Sequence, residues 1–172
     1  MESVPEDLVA LMQNNDNIYI VYTDGGCSKN PGGRGGYAAV IIKDHIPIYI
    51  TGYEDNTTNQ RMELKAVIAG LKLIEHPSVI KVYSDSAYVV NCFKDKWYKS
   101  WEKNNWKNSK NEEVANKQLW MLLLKLVRFH KDVEFFKVKG HSTDIINNKC
   151  DQLAGDIVDF KKKLDSIINV NE

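Results

Sequence analysis

The run "IYIVYT", residues 18 to 23, constrains this chain more than any other stretch. It is continuously apolar or β-branched, the pattern of a strand buried on both faces and hence central in a sheet. It runs straight into Asp24, and six of the ten glycines follow before Tyr37. Asp-Gly after such a run is a common turn signal, because Asp tolerates the turn and Gly supplies positive φ without steric cost. Taken alone, Asp24 is as well explained by a turn as by chemistry.

The remaining periodicities set the architecture around that strand. Tyr37–Lys43 and Ile46–Tyr53 read as two further strands joined at Asp44-His45, an antiparallel meander. In "TTNQRMELKAVIAGLKLIEH", Leu64, Val67, Ile68, Leu71 and Ile74 repeat at helical spacing, and Thr57 with Gln60 can form a capping box. "VIKVYSDS" reads as a fourth strand whose Ser84-Asp85-Ser86 end can cap the helix "AYVVNCF". A lysine- and tryptophan-rich segment follows, then an amphipathic helix around Glu113–His130. "VEFFKVKG" supplies a fifth strand, and a last helix starts near Asn147 with Cys150, Leu153, Ala154, Ile157 and Val158 as its stripe.

The order βββ-α-β-α-α-α-β-α predicts an α/β fold: a five-stranded mixed sheet, three antiparallel strands then parallel ones, with helices on both faces. No repeat or linker divides the chain. One domain over residues 17–172 is expected, behind a short extension, residues 1–16, in which 5–13 suit a short helix.

Composition is that of a globular protein long enough to bury a core: 172 residues, 43% apolar and 27% charged. No apolar run approaches a membrane span and the first residues lack a signal-peptide pattern, so a cytoplasmic location is expected. Cys27, Cys92 and Cys150 are odd in number without metal-ligand spacing, and read as buried reduced thiols. A net charge of zero argues against nucleic acid as a partner, but distribution counts for more than the total. Phe93 to Lys110 carries six lysines against two acids, interleaved with Trp97, Trp101 and Trp106.

Four acids fall at unusual places. Asp24 ends the first strand on the face of Ile18, Ile20 and Tyr22, and Asp85 ends the fourth. If those strands are parallel neighbours, both carboxylates project at the carboxyl edge, where open α/β sheets place their ligands. Glu63 lies at the border of its helix's buried stripe, and Asp151 stands beside Cys150 and Ala154 on the final helix. Brought together without cations, four carboxylates resist ionising, whereas Mg²⁺ or Mn²⁺ suits an oxygen-only cluster. Two such ions can activate a water and stabilise the leaving oxygen of a phosphodiester. Singly, each acid has an equally good bland reading as a turn residue, helix cap, first-turn acid or solvated helical acid.

The pattern of blocks breaks that tie. "YTDGGCSKNPGGRGGYAAVI", "TTNQRMELKAVIAGL", "VYSDSAYVV", "WYKSWEKNNWKNSK" and "VKGHSTDIINNKCDQLA" occur in this order, and together closely resemble type 1 ribonuclease H of the bacterial class, over about residues 17–160. The resemblance implies the ribonuclease H-like fold and endonucleolytic hydrolysis of the RNA strand in RNA–DNA hybrids, leaving 5′-phosphate and 3′-hydroxyl ends. It implies two Mg²⁺ ions, replaceable by Mn²⁺, on Asp24, Glu63, Asp85 and Asp151, with His141 aiding proton transfer or product release. It implies RNA contacts by Gly25, Gly26, Asn30, Asn59 and Gln60, resting on 2′-hydroxyls and groove shape rather than base identity. DNA contacts are implied for Thr58, Trp97, Lys99, Trp101, Lys103, Ser109 and Asn116, the tryptophans having core packing as their alternative.

Thr143, Asn148 and Ala87 depart from residues common in that family, and a separate hybrid-binding domain is not expected in the short extension. A monomer is expected. Two other readings remain: a non-catalytic hybrid-binding domain, against which all four acids stand, and a reverse-transcriptase-derived domain. Integrases and Holliday-junction resolvases of the same superfamily lack the basic segment and the "TNQRMEL" block.

Overall fold

The computed structural model describes residues 18–139 and 144–169; the expected helix at 5–13 lies outside them. Five strands form one sheet: β1 (Ile18–Cys27), β2 (Gly33–Lys43), β3 (Ile46–Thr57), β4 (Val79–Ser84) and β5 (Asp132–Lys137), in the order β3-β2-β1-β4-β5. β1 is central, antiparallel to β2 and parallel to β4, while β4 pairs parallel with β5. Helices α1 (Asn59–Leu73), α2 (Ala87–Lys94), α3 (Trp97–Lys103), α4 (Lys117–Phe129) and α5 (Ile145–Asn169) complete the expected order.

Period-2 alternation in the strands divides the core between two faces. Val21, Ala39, Ile41, Ile80 and Val82 pack under α1, α2 and α4, where Leu64, Val67, Leu71, Val89 and Trp120 meet them. Ile20, Tyr22, Val40 and Ile42 face α5 and its Cys150. Tyr22, Tyr83 and Phe136 stack across β1, β4 and β5 on that second face, with centroids 4.9 and 5.1 Å apart.

Several boundaries differ from expectation. Gly25, Gly26, Gly33, Gly35 and Gly36 lie within β1 and β2, and the intervening turn is confined to residues 28–32. Gly32, at φ +96°, is the glycine there that needs left-handed backbone. The cap of α1 is Thr58, whose side chain accepts from the Arg61 N–H; Thr57 still pairs with Gly33 as the end of β3. α4 begins at Lys117, not Glu113, because Glu113 bridges back to Lys107 and Asn116 takes left-handed backbone at φ 58°. α5 begins at Ile145, capped by Asp144, whose Oδ1 accepts from the N–H groups of Ile146 and Asn147. Cys92 and Cys150 are buried and free as expected, whereas Cys27 is only half-buried: it ends β1 at the sheet's rim.

Candidate active site

The register of the parallel pair brings the first two acids together. The last paired residues of β1 and β4 are Thr23 and Ser84, so Asp24 and Asp85 each stand one residue past the ladder. Both follow the tyrosines of their strands by two positions, Tyr22 and Tyr83, and therefore point to the α5 face. There Asp151 arrives on α5, one residue after the buried Cys150, and the Asp24 and Asp151 carboxyls meet through a hydrogen bond.

Glu63 comes from the opposite layer, and Gly25 determines how closely. A Cβ on Gly25 would sit 2.4 Å from the Met62 carbonyl carbon and 2.7 Å from the Glu63 nitrogen, so α1 rests directly on β1 only because that atom is missing. Gly36 does the same for α5, since its Cβ would lie 2.2 Å from the Ala154 carbonyl oxygen. Gly26 differs: its Cβ would be 3.6 Å from the Asn59 side chain, an ordinary contact. Glycine at 25 and 36 thus brings two helices onto the sheet edge that carries Asp24.

Electrostatics record the crowding. Burial, then Asp85, then Asp151 push the Asp24 carboxyl up to about 8, against a lowering hydrogen bond from the Gly25 N–H at 2.9 Å. Glu63 is also raised, by burial and by Asp85, while the Ser86 hydroxyl donates to its Oε2 at 2.5 Å and pulls the other way. Ser86 was not anticipated at the site beyond its part in capping; the same hydroxyl accepts from the Val89 N–H and caps α2. Among the described residues no three acids, histidines or cysteines form a closed metal cage. The donor set nonetheless fits a hard divalent cation: oxygen ligands alone, in a crowd where burial and the nearby Asp85 disfavour the bare charge on Asp24 and Glu63 and a cation would relieve it.

The other expected residues fall into groups. The Asn30 amide oxygen accepts from the Asn59 N–H at 3.2 Å, and the Asn59 oxygen accepts from the Cys27 N–H at 2.9 Å, so both tie the 28–32 turn to the start of α1. Gln60 is exposed beside them. Thr58 caps α1, and Arg61 and Asn116 line a shared groove of about 330 Å³. Lys99, Lys103 and Ser109 are exposed on the basic protrusion. Trp97 and Trp101 are half-buried: Trp101 packs 5.4 Å from the buried Trp120, so these rings join α3 to the core as well as forming its surface. His141 and Thr143 lie outside the described residues.

The ribonuclease H family model matches residues 16–159. The chain belongs to the ribonuclease H family. Among curated relatives, ribonuclease H of Caldicellulosiruptor saccharolyticus is 52% identical over 139 residues, 81% of this chain and 94% of that one. That of Caldanaerobacter subterraneus is 50% identical over 143 residues, 83% and 92% of the two chains. A solved type 1 enzyme, LC9-RNase H1, shares the fold at a TM-score of 0.75 and 24% identity, over 84% of this chain and 73% of its own. LC11-RNase H1, solved in complex with an RNA/DNA hybrid, superposes at 0.65 and 20% identity, over 83% and 98%. As a ribonuclease H, the chain is a nuclease, in a family that is in general dependent on divalent metal. No helix among the described residues is long and apolar enough to cross a membrane.

Proposed function

We propose that this ribonuclease H hydrolyses the RNA strand of RNA–DNA hybrids endonucleolytically, leaving 5′-phosphate and 3′-hydroxyl ends. The observation that carries the reading is the convergence of Asp24, Asp85 and Asp151 at the carboxyl edge of β1 and β4, with Glu63 reaching it from α1. These carboxylates would hold the divalent ions, two Mg²⁺ with Mn²⁺ able to substitute, whose chemistry in phosphodiester cleavage is to activate water and stabilise the leaving oxygen.

The chain's own groups set the stage for that chemistry. Ser86 orients one Glu63 oxygen, and the Gly25 N–H fixes Asp24 Oδ1. Asn30, Asn59 and Gln60, with the backbone of Gly25 and Gly26, present polar groups to ribose hydroxyls of the cut strand. Thr58 and Asn116 would receive a phosphate of the DNA strand beside Arg61, and Lys99, Lys103, Ser109 and the exposed edges of Trp97 and Trp101 would follow that strand outward. His141 would supply proton transfer to the leaving group or aid product release. We further infer a single catalytic domain over 17–172, acting as a cytoplasmic monomer.

The test is cleavage of an end-labelled RNA strand hybridised to DNA, paired with RNA, or single-stranded, each with Mg²⁺ and with EDTA. Metal-dependent cuts confined to the hybrid are expected. A hybrid that is bound tightly but survives would make the chain a binding module instead.

A further inference from the structure

The family model stops at residue 159, yet α5 continues to Asn169, about 15 Å further at the helical rise per residue. This added length is pinned to the sheet. Arg34 Nη2 on β2 pairs with Asp165 Oδ2 at 2.9 Å, and Lys161 Nζ sits 5.3 Å from the centre of the Tyr53 ring on β3. Between those two anchors, Lys162 turns the other way. It makes no ion pair among the described residues, and it lines a trough of about 330 Å³ that begins at Asp24 and Asp151.

The trough follows one face of α5, because Asp151, Gly155, Asp159 and Lys162 recur at three- and four-residue steps. Its opposite wall is Gly26 to Ser28 at the end of β1. Among the described residues that line it, three are acids and Lys162 is the cation. On the hybrid-cleaving reading the cut strand lies over the acidic cluster, and a phosphodiester that continues from there into the contiguous hollow meets carboxylates at one end and an ammonium at the other. Gly155 borders the hollow, and a Cβ there would enter open space with nothing within 4 Å.

The geometry points to Lys162 as a binding residue for a backbone phosphate of the cleaved RNA strand, in a subsite that the extension of α5 adds to the family's groove. The inference rests on the hybrid-cleaving reading above. Lys162 holds the strand along the trough, so its contribution is to binding in ground state and transition state alike.

Steady-state cleavage of an RNA–DNA hybrid by the full chain, across a salt series, tests this. Lys162→Ala should raise KM about fivefold with kcat within about twofold, and lower the slope of log KM against log salt by about one. Lys162→Glu should raise KM further, and Lys162→Arg should restore it. Gly155→Leu, which fills the trough without a clash inside the fold, should raise KM while the melting temperature stays level or rises. Lys163→Ala, one residue off the trough face, should leave both parameters unchanged. If the wild-type chain cleaves hybrids and Lys162→Ala and Lys162→Glu keep its KM and salt slope, Lys162 is not a phosphate ligand and only this inference fails. If the wild-type chain does not cleave hybrids under any metal condition, the functional reading fails and this one with it.

Discussion

Two carboxylate regions flank the first turns of α1, and their surroundings shift the acids in opposite directions. On one side Glu63 joins Asp24 and Asp85, where burial and like charge push Asp24 up to about 8. On the other, Arg61 and Lys65 of the same helix converge on Glu54 of β3, with Arg61 Nε at 2.8 Å, and pull its carboxyl down to about 2. Arg61's hydrogen bond is the largest influence on Glu54; burial is the largest on Asp24. The residue type is the same and the surroundings are not. Where the chain wants a strut it supplies the cations itself, and where it wants chemistry it crowds acids together and leaves the positive charge to come from outside.

The sharpest way to break this contrast is to remove an acid from the crowded side. Asp85→Asn should cut kcat/KM on hybrids by at least about 10³-fold, an effect of the size seen when one charge-stabilising group is lost from an active site. Folding should survive, because Asp85 repels its neighbours in the metal-free state. Hybrid cleavage measured beside thermal denaturation separates the two effects. Near-normal turnover in the mutant would remove Asp85 from the metal site.

Moving α1 should disturb both regions at once. Gly25→Ala places a methyl 2.4 Å from helix backbone, which cannot rotate away, and should cost about 2–3 kcal/mol of stability as well as activity. Gly26→Ala, with 3.6 Å to a side-chain oxygen, should cost under about 1 kcal/mol. Denaturant melts of the two variants compare them directly, and equal losses would show that close approach of α1 is not what Gly25 provides.

The crowded side also has a pH signature of definite sign. Asp24 holds its proton in the folded chain up to about pH 8, while the unfolded chain releases it near 3.8. Between those values the native state binds one more proton than the unfolded state, so metal-free stability is full below pH 3.8 and falls as pH rises towards 8. Asp24→Asn removes that dependence. It should match the wild type near pH 4 and exceed it by about 1–3 kcal/mol at pH 8 in EDTA. Thermal melts across that range check it, and a wild type that gains stability over the same interval would reverse the assignment.

Much of this is legible in the sequence. The buried run into Asp24 and the strand ending in Asp85 gave the edge, because alternation along a strand is rigid and parallel neighbours share it. Face assignment puts Asp24 and Asp85 at that edge, but choosing them, with Glu63 and Asp151, over turn, cap and solvated acids rests on the resemblance to ribonuclease H. What could not be read was closeness of approach. Gly25 and Gly36 read as loop glycines in sequence, whereas each lies inside a strand and admits a helix backbone. A missing Cβ announces freedom, not the neighbour that will occupy the space. Ser86 was hidden for a related reason, since its capping role is local and visible while its bond to Glu63 spans 23 residues. The start of α4 was misplaced because Asn116 and Asn111 take left-handed backbone that asparagine tolerates without signalling.

The smallest effect belongs to the neutralised side, and its sign should be opposite. Glu54 is ionised in the folded chain down to about pH 2, against 4.5 when unfolded. Its contribution is therefore present above pH 4.5 and is lost as pH falls through 2, where the unfolded state binds the extra proton. The side chains of Glu54 and Arg61 are 20% and 36% exposed, so solvent screens the pair and Glu54→Gln should cost only about 1 kcal/mol at pH 7. The cost should shrink towards zero by pH 2, and cleavage should stay within about twofold of wild type, since the substitution leaves every acid of the cluster in place. Melts at pH 7 and pH 3 with a parallel activity assay decide it. Should Glu54→Gln instead abolish cleavage without loss of stability, the two sides of α1 would form one site, and the division between strut and chemistry would have to be abandoned.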